Sequence, residues 1–358
     1  MTFTLNEEQQ LLKDAARAFC SEQAPVSRLR KQRDAKQNGR DPALWAEMAA
    51  MGWAGVIVPE EFGGAGLGYV GLGVVLEETG RTLVASPLHS TALIGASALL
   101  LAGTEAQKAE WLPKIAAGEV IVALAVDEAP HHAPGKSTLS VAGDKITGAK
   151  TYVADGHIAD IFIVASADAL YLVKADAAGV SRRELITVDS RGAADVRFDG
   201  AVAEKMNGGA DVIDAILDRA RIGLAAEMLG QASAAFEITG EYLKTRKQFG
   251  QVIGGFQALQ HRAAKLFTDL ELTRSCVIAA LDALDRNAPG IAEYASLAKA
   301  RAADTLHLAA SEMVQMHGGI GMTDEHDAGL YLKRARVAEA LYGGASFHRD
   351  RYAKLLGF

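Results

Sequence analysis

Two stretches in the last third of the chain combine arginine, glutamine and glycine in a way that suits a diphosphate ligand. The first reads TRKQFGQVIGGFQALQHR (245–262), and the second reads VQMHGGIGMTDEH (314–326). A guanidinium can bind two phosphate oxygens at once, and glycine lets a backbone approach a ligand closely. A third stretch, DRARIGLAAEMLGQ (218–231), begins a helical segment with two arginines. The alternative for each stretch alone is that its glycines end helices and its arginines are solvated.

The stretch EALYGGASFHRDR (339–351) raises a different question. Gly343 and Gly344 have no side chains, so neither can transfer a proton. They form either a flexible turn or a place where a reactive side chain is expected and missing.

Composition narrows the classes of protein to which these stretches can belong. The chain has 358 residues, with 49% apolar and 23% charged residues, which is typical of a soluble globular protein. A net charge of −7 without a basic stripe argues against a nucleic-acid partner. Two cysteines, Cys20 and Cys276, indicate a reducing compartment. No signal peptide or membrane span is predicted, so we expect a cytoplasmic protein. No metal is predicted, because three histidines lack carboxylates at ligand spacing: His131, His132 and His317.

The spacing of apolar residues divides the chain into three segments. The first (1–118) and the third (206–358) show helical periodicity, with a helix start at Asp41-Pro42 and a helix end at 285–290. Between them, 119–205 consists of short β-branched runs broken by Gly and Asp, which predicts an antiparallel barrel or sandwich. The predicted fold is therefore α+β and mostly α. It comprises an N-terminal helical domain, a middle β domain and a C-terminal four-helix bundle.

The residue types and spacing of these stretches resemble those of the acyl-CoA dehydrogenase family. PEEFGGAGLGYVGLGVVLEETGR (59–81) and GTEAQKAEWLPKIAAGE (103–119) share the resemblance, which covers nearly the whole chain. It implies the same order of three domains, FAD as cofactor and a tetrameric assembly. It also implies α,β-dehydrogenation of an acyl-CoA thioester, with electron-transfer flavoprotein as the electron acceptor.

In that family the flavin lies between subunits, and residues of one chain contact the adenosine and pyrophosphate of a neighbour's FAD. The resemblance places this role on Arg246, Phe249, Gln257, Gln315, Gly318 and Gly319. A guanidinium can meet a diphosphate bidentately, and glycine leaves room for it.

The residues that would serve the chain's own flavin depart from the family pattern. The family usually has a hydroxyl-rich run in the middle domain, whereas VDEAPHHAPGKST (126–138) keeps only a similar Glu128 and Pro130. The family then has a Trp and, two residues later, a Thr, where this chain has Tyr152 and Ala154. We therefore expect the chain to bind its own FAD weakly.

The catalytic base of the family is missing at both positions where it is known. Relatives commonly read Tyr-Glu-Gly-Thr, and that Glu removes the α-proton of the substrate; the matching residue is Gly343. A minority of relatives take the base from the start of the 218–231 helix, where this chain has Ala220. No catalytic residue is assigned.

Two carboxylates are candidates for a displaced base. Glu227 follows Ala220 by seven residues and would share its helix face, although it is equally explained as a buried or interface carboxylate. Asp350 is equally explained as a surface partner of Arg349 or Arg351.

Three functions remain in competition. The first is the subunit of a heteromeric acyl-CoA dehydrogenase that lacks the base and completes the flavin site of a homologous partner, as an α2β2 assembly. The second is a homotetrameric dehydrogenase with a displaced base. The third is a non-catalytic acyl-CoA-binding protein on the same scaffold. Retention of Arg246, Phe249 and Gln315 argues against the third, because a pure binder would not need that set. Small residues around the expected acyl cavity would suit a bulky acyl group such as a steroid fragment, and equally a closed site.

Overall fold

The computed structural model describes residues 5–358, which run from helices through strands to helices again. This order confirms the predicted α+β class. The helices before the strands are α1 Glu7–Glu22, α2 Val26–Asp34, α3 Pro42–Ala50, α4 Gly68–Arg81, α5 Ala96–Ala102 and α6 Glu105–Ala116. A π-helical segment, Leu88–Gly95, precedes α5. The predicted helix start is confirmed, because the Asp41 side chain accepts a hydrogen bond from Leu44 N and Pro42 is the first residue of α3.

The strands of the middle segment form two four-stranded sheets. They are β1 Val122–Ala125, β2 Ser140–Ala142, β3 Lys145–Ala154, β4 Ile161–Ala165, β5 Leu170–Lys174, β6 Val180–Leu185, β7 Ala193–Val202 and β8 Glu204–Lys205. The strand order is β1-β4-β5-β8 in one sheet and β2-β3-β7-β6 in the other. Both sheets contribute to one apolar core, in which Phe162 of β4 meets Phe198 of β7 edge to face with ring centroids 6.2 Å apart.

This arrangement confirms a sandwich and corrects two details of the prediction. The sheets are open, so the barrel alternative is wrong for the described residues. The pairing is also not wholly antiparallel, because β1 pairs with β4 in parallel, with Val122 opposite Ile161. A parallel pair needs a long connection, and here the chain between β1 and β4 supplies β2 and β3 to the other sheet.

The helices after the strands are longer. They are α7 Ala210–Thr245, α8 Gln257–Asp285, α9 Ile291–His317, α10 Ala328–Ala340 and α11 Ala345–Leu355. A short hairpin, β9 Lys247–Gln248 with β10 Gln251–Val252, connects α7 to α8. The end of α8 at Asp285 agrees with the predicted turn, and α9 packs against α8, α10 and α11. No helix within residues 5–358 is both long and apolar enough to cross a bilayer.

The chain divides into two compact units. One comprises residues 28–72 and 85–220 and contains both sheets of the sandwich. The other comprises residues up to 27, 73–84 and 221–358, and contains α1 and α8 to α11. The placement of domain boundaries at residues 118 and 205 stays a prediction.

Within the second unit, α4 and α7 approach each other closely through two glycines. A Cβ on Gly80 would overlap the carbonyl oxygen of Glu227, and a Cβ on Gly230 would overlap that of Glu77. Only glycine permits this backbone separation. The contact explains why both helical sequences, LEETGR and EMLGQ, carry a glycine despite its low helix propensity.

Candidate active site

The turn between α10 and α11 lies where a base is expected, and its backbone excludes one. Tyr342 and Gly343 both have positive φ, of 56° and 104°. A Cβ on Gly343 would overlap Cδ1 of Phe347 and would lie 2.9 Å from Cε1 of that ring and 3.0 Å from Nε2 of His348. Any side chain at this position is therefore strained, and the space that it would need is filled. The glycine is part of an ordered turn rather than a flexible one.

Three buried side chains donate hydrogen bonds to the backbone carbonyls of this turn. We call Arg221, Lys299 and His348 the donor cluster. All three side chains are fully buried. Lys299 Nζ donates to the carbonyl oxygens of Ala338, Glu339 and Gly343 at 3.0, 3.1 and 3.1 Å. Its ammonium thus satisfies carbonyls at the end of α10, where a helix favours positive charge. Burial lowers the pKa of Lys299 to about 7.

The other two members of the donor cluster converge on one oxygen. Arg221 Nε donates to Tyr342 O at 3.2 Å, and His348 Nε2 lies 3.1 Å from the same atom. Burial, together with the charges of Lys299 and Arg221, lowers the pKa of His348 to about 2. His348 is therefore neutral at physiological pH and donates its Nε2 proton. The turn is fixed by donors to its carbonyls, and none of these contacts involves a carboxylate.

The second expected base position is also without a titratable group. Ala220 on α7 is fully buried, and its carbonyl oxygen lies 3.0 Å from Nε2 of His89 in the π-helical segment.

Glu227 and Asp350 both have partners that account for them. Glu227 is 2% exposed; its Oε1 accepts from Arg334 Nη2 at 2.9 Å and from Gln231 Nε2 at 2.7 Å. This geometry favours the structural explanation for Glu227. Asp350 is on the surface, but the predicted partners are wrong, because it pairs with Lys354 at 2.7 Å across one helical turn.

The two arginines beside Asp350 are engaged elsewhere. Arg349 pairs with Asp304. Arg351 Nη1 donates to Ala292 O and to Ser296 Oγ at 3.1 and 3.0 Å.

The residues expected to serve a neighbour's flavin are all exposed on two adjoining loops. Arg246, Phe249 and Gln257 lie around the β9–β10 hairpin, where Phe249 is 89% exposed. Gln315, Gly318 and Gly319 lie at the end of α9, and no atom would obstruct a Cβ on either glycine. We call these two segments the flavin-serving loops, after the role that the family resemblance implies for them.

A stack of three rings joins the flavin-serving loops. Tyr242, near the end of α7, lies over His317 with centroids 4.3 Å apart, and His317 lies over His326 at 4.2 Å. His317 Nδ1 lies 2.7 Å from Met313 O and donates to it, while Nε2 has no partner among the described residues. Burial lowers the pKa of His317, so the ring is neutral near pH 7.

The middle-domain loop that matches the family's own-flavin segment uses its hydroxyls internally. Glu128 accepts hydrogen bonds from Ser137 Oγ at 2.5 Å and from Thr138 N and Oγ1 at 2.6 and 2.7 Å. The buried Lys150 ammonium lies 2.7 Å from the same carboxylate. Burial would raise the pKa of Glu128, but these contacts lower it to about 2. The hydroxyl groups of this loop are therefore engaged by the Glu128–Lys150 ion pair.

The second segment of the own-flavin site also differs in backbone. Tyr152 has a φ of 50° beside an irregularity in the β3–β7 pairing, and Ala154 offers only a methyl group. The two segments expected to serve the chain's own flavin therefore offer no free hydroxyl at Ser137, Thr138 or Ala154.

No group of three potential metal ligands occurs in residues 5–358. One of the histidines does have a carboxylate partner, contrary to the sequence reasoning: His132 Nδ1 lies 2.9 Å from Asp127 Oδ2.

Sequence reasoning missed the donor cluster, although one signal was present. Lys299 shares the helical stripe of Ala295, Ala302 and Leu306, all of which are fully buried. A lysine on the apolar stripe of a helix indicates a buried ammonium with specific acceptors.

Comparison with known proteins agrees with this fold. The acyl-CoA dehydrogenase N-terminal domain matches residues 6–119, and the acyl-CoA dehydrogenase C-terminal domain matches residues 207–356. The chain belongs to the acyl-CoA dehydrogenase family, whose members are oxidoreductases acting on acyl-CoA and are generally FAD-dependent.

Two relatives and two solved structures resemble this chain over most of its length. Acyl-CoA dehydrogenase IpdE2 of Mycobacterium tuberculosis is 33% identical over 341 residues, covering 94% of this chain and 93% of that protein. FadE27 of the same organism is 30% identical, with 88% of each chain covered. The Tcur3481-Tcur3483 steroid ACAD G363A variant superposes with a TM-score of 0.90 at 33% identity, covering 99% of this chain and 98% of that one. The ChsE4-ChsE5 complex of M. tuberculosis gives 0.90 at 26% identity, with 99% of each chain covered.

Proposed function

We propose that this chain is the base-lacking subunit of a heteromeric, FAD-dependent acyl-CoA dehydrogenase. It would assemble with a homologous subunit that carries its own base, as an α2β2 complex in the cytoplasm. Electron-transfer flavoprotein would accept the electrons. The chain's contribution would be to complete the partner's flavin site.

The observation that carries this proposal is the closed turn at Gly343. A missing glutamate alone could be replaced by a carboxylate arriving from elsewhere, but here Phe347 fills the adjacent space. The donor cluster also fixes the turn, because Lys299 and Arg221 each bind one of its carbonyls. In this proposal, proton removal from a substrate would be performed by the partner chain.

The contrast between the two halves of the flavin site supports the same assignment. Arg246 and Gln315 are exposed and available to a ligand outside this chain. By contrast, Ser137 and Thr138 are committed to Glu128. When bound, FAD supplies the hydride acceptor. Arg246 would hold its diphosphate through charge-assisted hydrogen bonds, and Gly318 and Gly319 would let the backbone approach it.

Two similar proteins support a heteromeric assembly and a bulky substrate. The ChsE4-ChsE5 complex and the Tcur3481-Tcur3483 steroid ACAD are each named for two proteins, and the second is named as a steroid enzyme. We propose a steroid-derived acyl-CoA as the substrate class, in agreement with the small residues Gly344 and Ala345 beside the Gly343 turn.

The test is co-expression of this chain with a homologue that carries the Tyr-Glu-Gly-Thr motif, followed by measurement of flavin content and dye-linked dehydrogenase activity. The complex should contain FAD and be active, whereas the isolated chain should contain little FAD and be inactive. In the complex, Arg246→Ala should lower the affinity for FAD, because a charge-assisted contact contributes on the order of 1.5–3 kcal/mol.

Arg286→Ala is the matched control, because Arg286 is also a surface arginine but pairs with Asp282 at the end of α8. It should leave the flavin content of the complex unchanged. Full activity of the isolated wild-type chain would contradict the proposal. An isolated chain that binds acyl-CoA but never acquires activity in any complex would favour the non-catalytic binder.

A further inference from the structure

The first helix of the chain, α1, buries little apolar surface against the rest of its compact unit. Within Glu7–Glu22, the buried side chains are those of two small residues, Ala16 and Cys20. Leu11, a large apolar residue of the same helix, is 70% exposed. Pro25 follows shortly after the end of α1, and proline does not continue a helix. The hydrophobic effect therefore contributes little to the docking of this short, separate element.

Two cations of α1, one helical turn apart, bind two adjacent carboxylates of α4. Arg17 donates two hydrogen bonds to Glu78, from Nε at 3.1 Å and from Nη2 at 2.9 Å. Lys13 Nζ lies 3.4 Å from Oε2 of Glu77. Both carboxylates are buried, whereas more than half of the Arg17 side chain is exposed. Ion pairs between α1 and α4 are thus a main part of the contact.

Each of these carboxylates also has a second cation that does not belong to α1. Arg274 Nη1 of α8 lies 2.9 Å from Oε1 of Glu77. Arg81 Nε of α4 lies 3.6 Å from Oε2 of Glu78. A buried carboxylate that loses its only partner is strongly destabilised. Here both carboxylates would keep a partner if α1 moved away, so its departure would leave no buried charge unpaired.

A cleft of about 570 Å³ borders the C-terminal end of α1. Cys20 and Ser21 of α1 line it together with Ile238 of α7 and Tyr331 of α10. On this side α1 faces open space rather than a packed core, so it can move without first displacing other side chains.

We propose that α1 is an electrostatic strap, which docks on α4 through Lys13 and Arg17 and opens while the helices beneath it stay folded. Opening exposes the carboxylates of Glu77 and Glu78 and widens the cleft. The proposal is independent of the role as a base-lacking subunit, because the strap shares no residue with the flavin-serving loops or the donor cluster. It can be tested on the isolated chain without a partner or flavin.

The experiment uses Cys20 as a native reporter of strap opening. Burial raises the pKa of its thiol to about 12, so docked α1 protects it from reagents that require a thiolate. The other cysteine, Cys276, is replaced by serine, and labelling by dithiodipyridine, an uncharged disulfide, is followed by absorbance. Val277→Cys, made in a chain that lacks both native cysteines, reports the opening of the helices beneath, because Val277 is buried on α8. Relative to the rates in urea, Cys20 should be labelled at least about tenfold faster than Val277→Cys, because local opening costs less than global unfolding.

Variants and salt test whether the ion pairs hold the strap. Arg17→Gln and Lys13→Gln should each accelerate labelling of Cys20 several-fold and leave that of Val277→Cys unchanged. Asp14→Asn is the matched control, because Asp14 is on the same helix but accepts a hydrogen bond from Gln10. Raising KCl from about 0.05 M to about 1 M should accelerate labelling of Cys20, and less so in the double variant Lys13→Gln/Arg17→Gln.

Three results would each overturn the proposal. Protection of Cys20 equal to that of Val277→Cys would show that α1 opens only when the helices beneath it unfold. Unchanged labelling in both Arg17→Gln and Lys13→Gln would show that the ion pairs do not hold α1. Equal acceleration by Asp14→Asn would show that any change of charge on this helix has the same effect.

Discussion

Lys299 Nζ lies 3.1 Å from the carbonyl oxygen of Gly343, so a fully buried ammonium binds the residue at which a catalytic carboxylate is expected. The same nitrogen binds two carbonyls at the end of α10. This contact makes the base-free turn a rigid part of the bundle. It also makes the turn sensitive to the protonation of one side chain.

Gly343→Glu should not restore activity to the isolated chain, and it should destabilise the fold. The positive φ and the overlap with Phe347 should together cost on the order of 1–3 kcal/mol, measured by urea denaturation. Gly240→Ala is the control, because Gly240 lies within α7 with open space around it and should be neutral or stabilising by up to about 1 kcal/mol. Dehydrogenase activity in purified Gly343→Glu would refute this prediction.

Lys299→Met should change how stability depends on pH. The folded pKa of Lys299 is about 7, below its ordinary value of 10.5, so the unfolded chain binds the proton more tightly. The unfolding free energy of the wild type should therefore rise between about pH 7 and 10 relative to that of Lys299→Met. Cys20 titrates in both chains, so its contribution cancels from the difference. Parallel pH profiles for the two chains would show that the buried lysine does not titrate in this range.

Glu227→Gln should destabilise the chain by about 3–5 kcal/mol, because it leaves the buried guanidinium of Arg334 without its carboxylate. The double variant Glu227→Leu/Arg334→Met should lose less, since both charges are removed together. Denaturation midpoints measure both effects. If the isolated wild-type chain were active and a stably folded Glu227→Gln chain were inactive, the base would instead be Glu227.

His317→Ala should lower the FAD content of the proposed complex, because the ring stack that joins the flavin-serving loops is lost. His317→Phe keeps a ring and should retain more flavin. The folded pKa of His317 lies below its ordinary value of 6.5, so protonation opposes folding and the loops should weaken as pH falls below that value. Flavin absorbance after gel filtration at several pH values should fall more steeply for the wild type than for His317→Phe. Equal flavin content in all three chains would remove any positioning role for His317.

The fold and the absence of a carboxylate at both expected base positions were predictable from the sequence. The structural reason that a side chain does not fit at Gly343 was not. Helical periodicity and β-branched runs can be recognised from local spacing in the sequence. The absence of a carboxylate at position 343 can be read directly from the residue type, glycine. The overlap with Phe347 depends on a backbone angle at Gly343, which no spacing pattern encodes. Likewise, Ser137 and Thr138 are hydroxyl residues in the sequence, and only the fold shows that Glu128 occupies them.

Long-range partners were the hardest to predict, because they join segments far apart in the chain. The partner of Glu227 lies on α10, and nothing in the α7 sequence identifies it. Asp350 illustrates the reverse case, since its true partner Lys354 was available one helical turn away. Residues four apart on a helix are neighbours, whereas consecutive residues do not face each other, so helical spacing favours Lys354 over Arg349 and Arg351 as the partner of Asp350.

The parallel pairing of β1 with β4 has a consequence for how the middle segment folds. A hairpin cannot form this pair, because Val122 meets Ile161 only after the intervening chain has entered the other sheet. The antiparallel β4–β5 pair, by contrast, joins neighbours in sequence. Loop-closure entropy therefore places the β4–β5 hairpin early and the docking of β1 late on the folding pathway. Until β1 docks, the side of β4 that pairs with it is an unprotected strand edge of apolar residues, which exposes the folding intermediate to aggregation.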